Sequence, residues 1–203
     1  MSTWTTQVTD AFTRANENPL AGNWTTVTSE TAMQLTSNAV VPSALGSDCG
    51  ARWNARSWTD DHSSSALITC TGTGGTGEGP GLAVRVASGA RTYYRFTINK
   101  SPDAEIRRFI AGASTQIDHW TPAVWADGDR FTFQVSGPAS AAFLEILKNG
   151  VSIRTFTDNS SLASGSPGLG YSSTVTAATF DSWEGGELVA DPPPGATTAW
   201  IGI

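Results

Sequence analysis

Charge is scarce in this 203-residue chain: 15% of residues are Asp, Glu, Lys or Arg, against about 25% in an ordinary soluble domain. Lysine and methionine occur twice each, and so few helix-favouring residues argue against a helical bundle. Positive charge is the scarcer sign, with 12 Lys and Arg against 18 Asp and Glu and a net charge of -6. Phosphate neutralisation, the main source of nucleic-acid affinity, is therefore missing, and an anionic membrane surface would repel the chain. No apolar run approaches the roughly 18 residues that suggest a membrane span. The opening from Met1 to Asp10 has neither a basic stretch nor an apolar core, so it does not read as a secretory signal. The expectation is export by another route, such as lysis releasing phage particles. Cysteine is nearly absent too. Cys49 and Cys70 bracket a loop-like region. They either form a disulfide worth roughly 3 kcal/mol in the chain-entropy model, or remain two buried free thiols, as folding in a reducing cytoplasm favours.

What is present is β-type. The chain carries 21 Gly and 10 Pro, and with so few charges its polar surface is built from Ser, Thr, Asn and Gly. The length suits one domain. Short β-prone runs separated by turn residues predict strands at 7–13, 23–29, 32–36, 66–70, 82–87, 92–99, 106–111, 115–120, 130–136, 142–148, 152–157 and 174–183. Alternation puts Phe131, Phe133 and Val135 on one face, and sets Phe143, Glu145 and Leu147 opposite Leu144 and Ile146 on the next strand. Asn149-Gly150 predicts a hairpin through a type I′ turn, which needs positive φ at both central residues. Ala111-Gly112-Ala113 and Asp127-Gly128-Asp129 mark two more turns, and the glycine-rich 72–81 reads as a loop or bulged edge. The expected organisation is one all-β domain over 1–186, a two-sheet antiparallel sandwich, followed by a Pro-rich tail over 187–203.

Three stretches carry a family resemblance. The start, Asp10-Ala11-Phe12-Thr13-Arg14 with Leu20-Ala21-Gly22-Asn23-Trp24, is one. The others are Phe143 through Asn149-Gly150-Val151, with Thr157-Asp158 and Ser164-Gly165-Ser166-Pro167-Gly168, and the run Phe180-Asp181-Ser182-Trp183. Together these resemble the first strand, late hairpin, loop and last strand of concanavalin A-like (laminin-G-like) β-jelly-roll domains. The resemblance implies a jelly roll whose first and last strands pair, with Asp10 near Asp181. Some relatives hold a structural Ca2+ in this region. Asp10 and Asp181 are accordingly either ligands of such an ion, which needs several oxygens at about 2.3 to 2.6 Å, or carboxylates that cap strand ends and pair with Arg14. No other cofactor is expected.

The superfamily includes glucanases and alginate lyases, so catalysis is weighed residue by residue. Asp181, Glu184 and Glu187 have the wrong spacing for the paired carboxylates of a glucanase strand and run into glycines, so they read as strand end and loop. Gln116-Ile117-Asp118-His119 is similar to the Q-I-H strand of alginate lyases with one residue inserted. On a strand that shift turns the His to the other face, which leaves His119 a rim residue beside Trp120. Asp60-Asp61-His62 reads as a solvated loop. No nucleophile elbow and no phosphate-binding loop occurs. The protein is read as non-enzymatic.

Eight tryptophans remain to be placed. Trp24 and Trp183 lie in family motifs and are assigned to the core. Trp53, Trp58, Trp120 and Trp125 flank polar loops, where aromatic faces can stack on sugars while Arg52, Arg56 and Asp118 supply hydrogen bonds. Trp4 and Trp200, near the ends, read as assembly contacts on a neighbour's surface. The leading expectation is a structural protein of a phage virion, a capsid decoration or a tail or spike component. It would partner other virion proteins and surface glycans and exist as an oligomer or bound to a lattice. The alternative is an extracellular carbohydrate-binding module of a secreted polysaccharide-active protein.

Overall fold

The computed structural model describes residues 2–70, 78–101, 103–122, 124–159, 162–172 and 178–190. Trp200 and the Pro192-Pro193-Pro194 stretch lie outside them. Two antiparallel sheets face one another. The first runs β13 (Val151–Asp158), β12 (Ala142–Lys148), β11 (Asp129–Ser136), β6 (His62–Cys70), β15 (Ala178–Ala190), β4 (Ala39–Pro42) and β3 (Met33–Thr36). β1 (Ser2–Asp10) pairs with the outer half of β15. The second sheet runs β10 (Ala113–Trp120), β9 (Asp103–Ile110), β8 (Tyr93–Asn99), β7 (Gly79–Val86), β14 (Ser166–Ser172), β5 (Cys49–Trp53) and β2 (Trp24–Thr26). First and last strands pair, as the family resemblance implies.

Alternating side chains build the core between the sheets. Phe131, Phe133 and Val135 of β11 meet Leu144 and Ile146 of β12 and Phe96 and Ile106 of the second sheet, all fully buried. Trp24, Trp53 and Trp183 close one end as a three-ring cluster, Trp53 stacked on Trp183 at 5.1 Å and Trp24 edge-on to Trp53 at 5.3 Å. Ser64 ties the layers together through a buried polar bridge: its Oγ donates to Gly168 O at 2.6 Å and accepts the Trp183 Nε1–H at 2.9 Å. The Asn149-Gly150 turn has φ of 50° and 80°, the double-positive pair that a type I′ hairpin demands. Asn149 reinforces it, accepting the Arg130 amide at 2.9 Å.

Several expectations are corrected. Of the stretch 72–81, expected as a loop or bulged edge, Gly79 to Gly81 already belong to β7. Ser166-Pro167-Gly168-Leu169-Gly170, read as a loop, is buried in β14 between β7 and β5. The sandwich runs past the boundary expected after Gly186, because β15 continues to Ala190 against β1. Asp181, Glu184 and Glu187 are therefore all strand residues, with a bulge between the first two. His62 is not a solvated loop residue but the buried first residue of β6. Its Nδ1 lies 2.7 Å from Thr59 O and its Nε2 accepts the Arg85 amide at 2.8 Å. The two cysteines are buried and not joined in a disulfide, and burial raises the Cys49 pKa to about 11.

Candidate functional site

The seven glycan-contact candidates separate into three places. Trp53 and Trp125 are corrections: both are 5% exposed. Trp53 belongs to the aromatic cluster, and Trp125 donates from Nε1 to Asn99 O at 3.0 Å. A large ring next to a polar loop finds more apolar surface inside the sandwich than outside it. Trp120 and Asp118 lie on β10, at the mouth between the edge strands β10 and β13. There the Trp120 ring stacks on Phe96 at 6.1 Å, and Arg154 lies 5.3 Å over it. Arg154 donates to both Asp118 oxygens at 2.6 Å, an ion pair that spans the two sheets at this edge. The residue inserted before His119 is absorbed as a bulge at Ile117, and exposed His119 contacts Asp103 through Nε2. Trp58, Arg52 and Arg56 line a third place, a depression of about 390 Å³ where β5, β7 and β14 meet at one end of the sandwich.

Asp10 and Asp181 are each engaged in hydrogen bonds with the chain's own groups. Asp10 Oδ1 accepts the Phe12 amide at 2.8 Å and Arg14 Nη1 at 2.7 Å, and its Oδ2 accepts Trp24 Nε1 at 2.8 Å. Asp181 is exposed and turned onto its own neighbour, accepting the Ser182 amide at 2.6 Å. Among the described residues no three His, Cys, Asp or Glu side chains gather as metal ligands would, whereas a hard cation needs several free oxygens. Asp10 is instead the hub that pins the first turn to the core.

The most developed polar surface was not anticipated from sequence. On the outer face of the first sheet, Ser63 and Ser65 of β6 stand beside Gln134 and Thr132 of β11 in register. All four are buried or half-buried although they point away from the core. They floor a groove of about 190 Å³ whose far wall is Trp4 with Thr5 and Thr6 of β1, and Arg130 and Glu184 line it as well. Thr132 Oγ1 donates to Ser65 Oγ at 2.9 Å, Arg130 Nη1 reaches Glu184 Oε1 at 3.1 Å, and Thr6 Oγ1 donates to Glu184 Oε2 at 3.2 Å. The groove therefore presents hydroxyls, an amide and a neutralised ion pair beside one indole ring. The alternation of Arg130, Thr132 and Gln134 was legible, because it is the complement of Phe131, Phe133 and Val135. That Ser63 and Ser65 sit beside them was not, since a serine run reads as loop.

No protein-family model matches the sequence, and no curated protein is similar to it at a significant level. Solved structures are similar in fold. A carbohydrate-binding module, CBM66, from Bacillus subtilis superposes with a TM-score of 0.53 at 18% identity, over 82% of this chain and 93% of that one. The exoplasmic/lumenal domain of VIP36 in its Ca2+- and mannose-bound form gives 0.56 at 12% identity, over 85% of this chain and 86% of that one. A prokaryotic β-1,3-1,4-glucanase (lichenase) derived from a mouse hindgut metagenome gives 0.54 at 9% identity, over 91% and 100%. Sheet order, paired terminal strands and these superpositions agree on one architecture: the chain folds as a concanavalin A-like jelly roll.

Proposed function

We propose that the protein is a non-catalytic carbohydrate-binding module that lays a sugar chain along the groove on the outer face of the first sheet. The observation that carries this reading is the groove floor: Ser63, Ser65, Thr132 and Gln134 form two adjacent polar pairs on rigid strands, with the Trp4 ring as the wall. A sugar presents hydroxyls around its rim and C–H groups on its faces, so it needs several fixed hydrogen-bond partners and one aromatic surface. Strands hold such partners more tightly than loops do. Two of the similar structures point the same way, one being a carbohydrate-binding module and the other a domain with mannose bound.

The fold also hosts a glucanase, but the carboxylates here are placed for something else. Glu145 of β12 stands beside Gln134 of β11, and Glu184 of β15 beside Ser65 of β6. The two are thus three strand spacings apart, about 14 Å. Glycosidase pairs stand about 5 to 9.5 Å apart, and Glu184 is further committed to Arg130. Glycan-array screening followed by titration tests the module. Trp4→Ala and Gln134→Ala each weaken binding at least about tenfold (roughly 1.4 kcal/mol) while leaving the melting temperature nearly unchanged. An array with no binder, or binding indifferent to both substitutions, overturns the reading.

A second reading, a component of a phage capsid or tail, is favoured by the free edge of β1. This nine-residue strand pairs with β15 on one side, and among the described residues nothing pairs with its other side. An open edge is a template for a neighbouring chain, and Trp4 sits on that strand.

A further inference from the structure

We propose that the depression at the end of the sandwich is a second binding site, which takes an oxyanion carried on a sugar, a carboxylate or a sulfate ester, with Arg52 as its principal contact. The proposal shares only its ligand class with the carbohydrate-binding reading and uses different residues.

Cations are few in this chain, and nearly all are spoken for. Every other lysine and arginine has a carboxylate within 4.0 Å. Among the described residues Arg52 alone has no ion pair. It also makes no side-chain hydrogen bond there, so its five N–H donors remain available. Arg52 lines the depression with Arg56, Trp58, Ser88, Ser164 and Ser166.

Arg56 is held in place as a second donor. Its guanidinium lies 4.8 Å from the centre of the Trp58 ring. Its Nη2 donates to Glu187 Oε2 at 2.7 Å, its Nη1 to Gln7 Oε1 at 3.2 Å, and its Nε to Ser57 O at 3.2 Å. The Gln7 partner is supplied by the β1 bulge between Thr6 and Val8. Three of five donors are thereby engaged and two are left. The Glu187 carboxylate is equally committed, its Oε1 accepting the Thr59 amide at 2.8 Å. Glu187 balances Arg56, so the uncompensated charge in the depression is that of Arg52, and among the described residues no carboxylate lines the cavity.

A planar guanidinium fork suits a carboxylate or sulfate, which it binds through two parallel hydrogen bonds. The serine hydroxyls around it suit the ring hydroxyls of the sugar that carries the anion. A volume of about 390 Å³ exceeds what a bare ion occupies and falls in the range of small-molecule sites.

The test is titration of the full chain with four probes: an oligouronate, its carboxyl-reduced neutral counterpart, a sulfated oligosaccharide and its desulfated counterpart. At least one acidic probe is expected to bind ten or more times tighter than its neutral counterpart, and that preference is expected to fall as salt rises. The probe that shows it identifies the anion. Arg52→Ala removes the preference. Arg52→Lys keeps the charge and loses the fork, and so retains part of it while guarding against a folding defect. Equal binding of acidic and neutral probes, or acidic binding that survives Arg52→Ala, overturns the proposal. Neutral glycan binding that depends on Gln134, without any acidic preference, leaves the groove standing and removes this site. Arg52-dependent acidic binding with no neutral binder supports this site and removes the groove.

Discussion

His62 begins β6 with no exposed surface, and its two hydrogen bonds assign its protons: Nε2 accepts from Arg85, so Nδ1 carries the hydrogen donated to Thr59 O. Burial lowers its pKa to about 4, against about 6.5 in an unfolded chain. Between those values the unfolded chain binds a proton that the folded protein excludes. The stabilisation is therefore complete above about pH 6.5 and drains away as pH falls towards 4, a total of about 3 kcal/mol. Urea unfolding is expected to show that loss between pH 7 and pH 4.5 in the native protein. His62→Gln is expected to be less stable at pH 7 but flatter across the window; equal slopes for the two proteins would remove His62 as the cause. None of this was visible in Asp60-Asp61-His62, which has the composition of a solvated loop. The burial comes from Arg85, 23 residues further along the chain, whose guanidinium reaches Asp60 O at 3.0 Å, Leu162 O at 2.7 Å and Gly137 O at 2.6 Å.

Strands rich in glycine are where element-level reading and structure part. β12 was read with its observed bounds, Ala142–Lys148, because period-2 alternation over a β-prone run has one reading. For β14 the family resemblance implies a loop, and the outer half of β15 reads as strand end and tail because it runs into glycines and a Pro-rich stretch, residues depleted in strands. In β15 the glycine answers a demand for space: a Cβ on Gly185 would stand 2.5 Å from the Trp58 ring and 2.8 Å from the Trp183 ring. Two indoles lie on the strand, and the missing side chain admits them. Gly185→Ala is accordingly expected to destabilise by roughly 1–3 kcal/mol through overpacking, read as a lower urea midpoint. A neutral result would show that the Trp58 ring moves aside at little cost. The Asn149-Gly150 turn was legible for the opposite reason, since its φ requirement is local and needs no partner from elsewhere.

The whole molecule is two sheets with three surface features at separate places: a polar groove on the first sheet, a cationic depression at one end and an aromatic mouth between the edge strands. The open edge of β1 bears on assembly, and solution mass by light scattering is the measurement at this scale. A glycan-binding monomer is the expected result for a detached module. A defined oligomer, or co-sedimentation with phage particles that is lost on Trp4→Ala, would shift the reading to a virion component. The sequence by itself determined the all-β class, the Asn149-Gly150 hairpin with its double-positive turn and the polar and apolar faces of β11 and β12, together with the expectation of a concanavalin A-like sandwich. These rest on periodicity, turn chemistry and a few motif residues, all written within a handful of neighbouring positions. Only the tertiary structure decided which tryptophans are core and which carboxylates are spent on arginines, and that Arg52 is left without one. It also decided that Ser63 and Ser65 meet Gln134 and Thr132 across a strand pair. The physical reason is that burial, ion pairing and groove formation depend on residues tens of positions apart, brought together only when the two sheets close.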